Sequence, residues 1–335
     1  MTDHPALKTP LCDLLGCDAP ILLAGMGGVA RAELAAAVAN AGGYAMLGMV
    51  REDPALIESE IRALRAATGR PFAVNVIPAA TNPALLDAQI GRCLDLGVTA
   101  FTFFWDVMPE VIARVKGAGC LVLHQVGTAA AAQKAEAAGA DVIIAQGIEA
   151  GGHVHGRSGA FALTETILET AKVPVVVSGG ISTGRGLAAA LAMGAGGVQC
   201  GTAFLATRES YAHDYHKTRV VQASGDDTVL TDVFVLNWPK GAVVRVLDNS
   251  VTQALGGHLL GHDPATLPRE PIAHDGDIPR LRFSTDSPMR TTTGDLEAMA
   301  LYAGQGAGAI HDIPSAGDRV RRMMAEAKAC LSVGR

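Results

Sequence analysis

The sequence predicts an α/β fold, a (β/α)8 TIM barrel with a smaller, partly helical substrate domain. Three observations carry this expectation. Short apolar runs alternate with Ala-rich stretches of helical period, eight times within roughly the first 200 residues. The runs are continuous rather than alternating, as in a parallel sheet covered on both faces. Glycines and polar residues gather just after the runs, at the strand ends where barrels keep their active sites. Eight units in so short a length favour a closed barrel over a doubly wound open sheet.

In chain order, strands are predicted at Pro20–Ala24, Gly43–Leu47, Phe72–Ile77, Thr99–Phe104, Cys120–His124, Asp141–Ala145, Pro174–Ser178 and Gly197–Cys200. Helices are predicted at Arg31–Ala41, Pro54–Ala67, Pro83–Leu96, Pro109–Ala118, Thr128–Ala138, Leu163–Thr170 and Gly184–Met193. Pro54, Pro83 and Pro109 suit first turns, where a missing N–H costs nothing; Gly97, Gly119, Gly139 and Gly194 suit the position just past a helix end. After Ala203 the rhythm breaks. Residues 204–290 are richer in Pro, Asp, His and Gly, with weak strand signals at Val229–Leu236 and Ala242–Leu247. The expected division is a barrel over 1–203, a substrate or lid domain over 204–290, and a segment over 291–335 that packs back on the barrel. That last segment holds an apolar stretch, Leu296–Tyr302, a Gly-rich turn, Ala303–Ile310, and a closing helix, Ser315–Leu331.

Composition narrows the function. With 18% charged residues, a net charge of −6 and no basic run, nucleic acid and anionic membrane surfaces are not expected partners. The six cysteines form no CxxC pair and read as reduced thiols, Cys200 among them as a packing residue. No apolar run approaches the roughly 18 residues of a membrane span, and the start of the chain lacks a leader pattern. A cytoplasmic enzyme, monomer or homodimer, is the expectation.

The most specific stretch for ligand class is Val173–Thr202. Ser178, Gly179 and Gly180 end the seventh strand, and Gly201 and Thr202 end the eighth. These are the two turns that form a barrel's phosphate site, since glycine leaves backbone N–H groups free to face an anion. Gly25, Met26, Gly27 and Gly28 after the first strand lack the GxGxxG order of a dinucleotide fold; they let the backbone pass flush against a flat ring. Asn75, Trp105, Asp106, Gln125 and Gln146 stand at or just past other strand ends. In DVIIAQGIEAGGHVHG (141–156), Gly151 and Gly152 precede His153, an imidazole suited to proton transfer near neutral pH. Glu149 in the same loop is a second ionisable candidate, better suited to bonding backbone. Histidine pairs such as His153 and His155 have no partnering Cys or carboxylate cluster and no HExxH helix, so no metal site is expected. No GxSxG elbow supports a serine hydrolase.

Four stretches give a resemblance: ILLAGMGGVARAELAAAVANAGG, IAQGIEAGGHVHG, VSGGISTGRGLAAALAMGAGGVQCGTAFLATRES and YAGQGAGAI. Together they resemble the nitronate monooxygenase family, FMN-dependent (β/α)8 enzymes, from about Cys12 to Ala329. The same loops are similar to those of FMN-dependent enoyl-acyl-carrier-protein reductases and NADH:quinone reductases. The resemblance implies FMN, with Gly25, Met26 and Gly27 along its ring system, and Asn75 and Gln125 bonding it. It places Gln146, Gly151 and Gly152 beside the ring, and Ser178, Gly179, Gly180, Gly201 and Thr202 on the phosphate. His153 matches the family's catalytic base. Oxidation of an alkyl nitronate or nitroalkane with O2 to a carbonyl compound and nitrite is the implied activity. An NAD(P)H-dependent reductase of a quinone or enoyl thioester, and a non-enzymatic flavin-binding barrel, stay open. Two departures bear on substrate: Gln125 stands where a basic residue is frequent, and FTFFWDVMPE replaces a Phe-Gly ending. Trp238, Tyr302 and Gln305 are the lid residues expected near substrate.

Overall fold

The fold follows from apolar runs that must be buried and helix starts that cap themselves. A computed structural model describes residues 7–332; the outermost ends of the first and last predicted segments, 1–6 and 333–335, lie outside the described residues. A short helix α1 (Pro10–Leu15) leads into eight repeats of strand and helix. These are β1 (Ile21–Leu23), α2 (Ala32–Asn40), β2 (Ala45–Gly48), α3 (Pro54–Ala67), β3 (Phe72–Val76), α4 (Pro83–Asp95), β4 (Ala100–Phe103), α5 (Pro109–Gly117), β5 (Leu121–Val126), α6 (Ala129–Ala137), β6 (Val142–Gln146), then β7 (Gly152–Val154) and α7 (Ala160–Leu168), β8 (Val175–Ser178), α8 (Gly184–Ala192), β9 (Gly197–Cys200) and α9 (Thr202–Leu205). The side chains of Asp53, Asn82 and Thr128 accept the N–H groups of Ala55, Ala84 and Ala131 and so fix the starts of α3, α4 and α6.

The barrel strands pair in parallel in the order β1-β9-β8-β6-β5-β4-β3-β2. Closure between the two ends rests on a parallel bridge, Leu22 to Tyr44, with Leu23 N–H donating to Tyr44 O (3.0 Å) and Tyr44 N–H to Ile21 O (2.9 Å). Side chains alternate across the sheet. Leu22, Met46, Ala73, Leu123, Ile144 and Val176 fill the interior, closed below by Leu11, Cys12 and Leu15 of α1. Leu23, Leu47, Val74, Phe101, Ile143 and Val177 face the helices, and Cys200 is buried in this outer layer as a packing residue.

Residues beyond the barrel form α10 (Asp214–Gln222), β10 (Thr228–Thr231), β11 (Val243–Leu247), α11 (Ser250–Ala254), β12 (Pro271–Asp275), β13 (Ile278–Leu281), β14 (Thr292–Gly294) and α12 (Ala316–Ser332). Helix α12 packs against α8 and α2. The stretch over 204–290 therefore carries two small antiparallel sheets as well as helices. The strands β12, β13 and β14 had no legible signal, because they are short, polar and half-exposed. Because β12 pairs with both β13 and β14, that sheet runs past residue 290.

Two barrel elements differ from expectation for local reasons. Helix α7 begins at Ala160 rather than Leu163, because both carboxylate oxygens of Glu149 accept the Ala160 N–H (3.1 and 2.9 Å). Strand β5 runs to Val126, so Gln125 lies within the strand rather than after it. No described helix is long and apolar enough to cross a membrane.

Candidate active site

The pleat that sends every second residue inward also decides what floors the barrel mouth. Two residues along each strand from an inward-facing position come Asn75, Thr102, Gln125, Gln146, Ser178 and Gln199, from six neighbouring strands, all facing one cavity of ≈590 Å³. Gln199 Nε2 donates to Gln125 Oε1 (2.6 Å) and lies 3.3 Å from Ser178 Oγ, while Asn75 Nδ2 donates to the Thr102 carbonyl (3.1 Å). Asn75 Oδ1 and Gln199 Oε1 have no partner among the described residues. A buried acceptor left bare costs about 1–3 kcal/mol, which a ligand N–H repays. Thr102 and Gln199 were not singled out from sequence, although they share the inward parity of their strands.

Glycines form the walls where backbone must come close. A Cβ on Gly25 would lie 2.3 Å from Asn75 Cβ, so the first loop and the Asn75 side chain require each other. Gly179 and Gly180 take φ of +104° and +72°, and their N–H groups donate to no described protein acceptor. Gly201 precedes the one-turn helix α9, and Thr202 Oγ1 accepts the Gly304 N–H (2.9 Å). Gly304 and Gly306 also reach the cavity; a Cβ on Gly306 would meet Ser182 Oγ at 2.5 Å. Sequence reading placed Gly304 and Gly306 only in a turn that closes the structure.

The loop after β6 is not the simple turn expected: Gly152–Val154 is strand β7, paired antiparallel with β11. Gln146 is the last residue of β6, and its amide holds this loop at both ends. Nε2 donates to His153 O (2.8 Å) and Oε1 accepts His155 N–H (3.4 Å). Arg245, buried in β11, donates through Nε and Nη2 to the Ile148 carbonyl (3.1 and 2.9 Å). Gly151 lies so close to the 303–304 backbone that a Cβ would sit 2.5 Å from Gly304 N. Thus the histidine loop is clamped from β6, from β11 and from the Ala303–Gly304 turn.

His153 ends up against aromatic rings. Trp238 stacks on it with centroids 3.7 Å apart at 25°, Trp105 meets it edge-on at 6.0 Å, and Tyr302 lies at 6.0 Å. Burial, with the Arg51 charge as a lesser cause, pushes its imidazole down to about 3, so it is neutral near pH 7. Its Nε2 is buried without a partner, as is the Trp238 Nε1–H.

All the residues singled out for the site, Gly25, Met26, Gly27, Asn75, Gln125, Gln146, Gly151, Gly152, His153, Ser178, Gly179, Gly180, Gly201 and Thr202, line the same cavity, and so do Trp238 and Tyr302. Three other candidates do not. Gln305 is exposed and off the wall; its backbone N–H donates to Glu149 O (2.9 Å) instead. Trp105 sits behind His155 and Trp238, and Glu149 is spent on capping α7. Arg51, Asn237 and Thr285 join the cavity from outside the barrel-strand pattern, which is why no periodicity marked them.

Comparison with known proteins agrees with this architecture. The model of the family described as nitronate monooxygenase matches residues 8–89 and 79–326. A nitronate monooxygenase of Paraburkholderia phytofirmans is 33% identical over 94% of each chain. A (3aS,4S,5R,7aS)-5-hydroxy-7a-methyl-1-oxo-octahydro-1H-indene-4-carboxyl-CoA dehydrogenase of Mycobacterium tuberculosis is 32% identical over 96% of each. Among solved structures, FabK from Thermotoga maritima superposes with a TM-score of 0.79 at 30% identity, covering 97% of both chains. Nitroalkane oxidase from Streptomyces ansochromogenes superposes with a TM-score of 0.76 at 33% identity, covering 96% of this chain and 99% of that one. With a family model matched along most of its length and relatives above 30% identity across nearly all of it, the chain belongs to the nitronate monooxygenase family and is a flavin oxidoreductase.

Proposed function

We propose that the protein oxidises small alkyl nitronates, and nitroalkanes after deprotonation, with O2, using FMN and His153. The observation that carries this reading is the neutral His153 with an unpartnered Nε2 on a cavity that the glycine turns after β8 and β9 also line. The residues present fit a flavin mononucleotide. Free N–H groups of Gly179 and Gly180, beside Ser178, Gly201 and Thr202, would hold one phosphate. The bare Asn75 Oδ1 and Gln199 Oε1 offer acceptors for the ring system's N–H, and Gly25, Met26, Gly27, Gly151 and Gly152 leave room for a flat ring. The Gly25–Gly28 loop lacks the GxGxxG order of a dinucleotide site, which argues for a mononucleotide. When bound, the flavin supplies the one- and two-electron chemistry.

The chain's own part is proton handling, placement and exclusion of water. As a neutral imidazole, His153 accepts the α-proton of a nitroalkane at Nε2, and the nitronate so formed stays beside it. Gln146 fixes the direction of the imidazole through the loop backbone, and Trp238 holds the ring in plane. Trp105, Trp238 and Tyr302 keep bulk water from this corner.

The likeness to FabK and to a carboxyl-CoA dehydrogenase supports a second reading, reduction or dehydrogenation of a thioester. Against it stands the charge of the cavity wall: Arg31 is paired with Glu52 and Glu60, and Arg280 with Asp275 and Asp286, so no second cation cluster awaits a polyphosphate. Anaerobic mixing of the flavin-loaded enzyme separates the two. Bleaching by a nitronate and not by NADH or NADPH is expected; rapid bleaching by a nicotinamide alone overturns the oxidase reading. His153→Ala should keep its flavin and lose turnover of neutral nitroalkanes far more than of preformed nitronates. Equal loss on both removes His153 as the base.

A further inference from the structure

We propose that Arg51 is the substrate-recognition residue of this site, and that it selects a planar two-oxygen anion. This rests on the reading above and extends it to a residue outside the barrel strands. Arg51 follows β2 with a φ of 57°, a left-handed conformation costly for a side-chain-bearing residue. Its guanidinium is fixed from the far side of the cavity. Nη1 donates to the Asn237 carbonyl, Nη2 to Thr285 Oγ1 at 3.3 Å, and the guanidinium carbon lies 5.1 Å from the Trp238 ring centroid. Residues from two distant segments thus hold a strained arginine in one place.

The remaining valences are the point. A guanidinium carries five N–H donors, and the contacts of Arg51 use two. The other arginines on the cavity wall are neutralised, Arg31 by Glu52 and Glu60 and Arg280 by Asp275 and Asp286. Arg51 alone among the described arginines of the wall has no carboxylate partner. Beside it stands the Trp238 indole, whose Nε1–H also lacks an acceptor, and beyond that the unpartnered Nε2 of His153. This corner of the cavity therefore offers the N–H donors of Arg51 and Trp238 and a guanidinium with no ion-pair partner among the described residues. Its complement is an anion with two oxygens in a plane, which a guanidinium binds as a fork. A nitronate has that form, and a neutral nitroalkane has the shape without the charge. Arg51 thus favours the deprotonated substrate, whereas His153 makes it.

Titration of the flavin-loaded enzyme with sodium nitrate and sodium propionate, unreactive anions of this geometry, tests the proposal with sodium chloride as the ionic-strength control. Flavin absorbance reads binding. Arg51→Met should weaken nitrate and propionate binding by about tenfold or more and raise KM for a nitronate by a similar factor. It should leave the KM of the neutral nitroalkane within about threefold and flavin content unchanged, and it should lower kcat for the nitroalkane, whose deprotonation at His153 builds the same anion. Arg51→Lys, which keeps the charge but not the fork, should recover part of the loss. Wild-type enzyme that binds neither anion above the chloride control overturns the proposal, as does equal damage to nitronate and nitroalkane KM. Loss of flavin or of folding in both variants assigns Arg51 to the scaffold and also overturns it. If the wild type binds the anions through Arg51 yet turns over no nitronate, the oxidase reading fails and the recognition role stands.

Discussion

The floor of the cavity is made by strand ends and glycine turns of the barrel, whereas its roof is made by side chains arriving from residues 237–306 and from Arg51. The floor presents main-chain N–H groups and short amides whose positions follow from strand register. The roof presents an arginine, two aromatic rings and the strap formed by Arg245. Backbone-built surfaces are hard to vary, because Gly25 and Gly151 are pinned by close neighbours and Gly152, Gly179 and Gly180 by positive φ; side-chain-built ones change with a single substitution. The difference separates a constant task, holding a cofactor, from a variable one, choosing what reacts with it. His153 belongs to both, since its strand β7 leaves the barrel and pairs with β11.

Acid should strike both halves at once and have the largest effect. His124 in the barrel and His216 beneath the roof are held near pKa 4, and His153 near 3, in each case chiefly because burial disfavours the cation. Their folded values lie below the ordinary 6.5, so the unfolded chain binds more protons as pH falls through that range. Stability from these groups is therefore full above about pH 6.5 and drains away toward pH 4, by roughly 3 kcal/mol for each imidazole. Thermal unfolding followed by circular dichroism should show a midpoint level above pH 7 and falling below it. A level profile down to pH 4.5 would show that these imidazoles are not buried as neutral groups.

Gly151→Ala comes next, because it forces the two halves apart. The new Cβ would lie 2.5 Å from Gly304 N and 2.6 Å from Ala303 C, and neither backbone can yield as a side chain does. A cost of about 3 kcal/mol and poor retention of flavin on gel filtration are expected. Gly69→Ala, where nothing lies within 4 Å of the new carbon, is the control and should stay within about 0.5 kcal/mol. Equal behaviour of the two would mean that the Gly151 contact with the 303–304 turn does not hold the halves together.

The comparison also explains what could be read from the sequence. The barrel strands were legible because each is a continuous buried run; β8 and β9 end at Ser178 and Cys200 as expected, and β3 ends one residue before the expected Ile77. Helix α3 runs from Pro54 to Ala67, the bounds expected from its proline and its helical period. The floor was half legible: Asn75, Gln125, Gln146 and Ser178 were picked out, while Thr102 and Gln199, inward by the same alternation, were passed over as ordinary strand residues. The roof was not legible. Arg51 and Arg245 act across separations of 186 and 97 residues, on Asn237 O and Ile148 O, and no local period encodes such contacts. Trp238 and Tyr302, expected at the lid, line the cavity, but Gln305 lies off its wall.

Arg245→Met tests whether the roof controls the histidine loop without touching the floor. The substitution leaves the Ile148 carbonyl and Thr228 Oγ1 without the donors that Nε, Nη1 and Nη2 now provide. Hydrogen bonds from a charged donor are worth about 1.5–3 kcal/mol, so a loss of about 2 kcal/mol in denaturant unfolding is expected. Flavin content should hold while turnover falls, because the proposed phosphate cradle after β8 and β9 makes no hydrogen bond with Arg245. Flavin lost in parallel with turnover would show that the loop and the cradle are one unit.

Trp238→Phe is the smallest and most discriminating change. Phenylalanine keeps an aromatic face for the Arg51 guanidinium and a ring to stack on His153, and removes the Nε1–H that has no protein acceptor. If that N–H is idle, its removal relieves a buried unsatisfied donor and stability rises by up to about 1 kcal/mol with kinetics unchanged. If it bonds substrate, stability is nearly constant and kcat/KM for the nitronate falls by about tenfold or more, the worth of one hydrogen bond to an anion. The second outcome is expected, because an orphan donor beside Arg51 lies where a planar anion would place an oxygen. Since the glycine floor is untouched, the flavin spectrum of the variant should match the wild type. A shifted spectrum would mean that Trp238 meets the cofactor itself, and the division between a cofactor-holding floor and a substrate-reading roof would have to be redrawn at this residue.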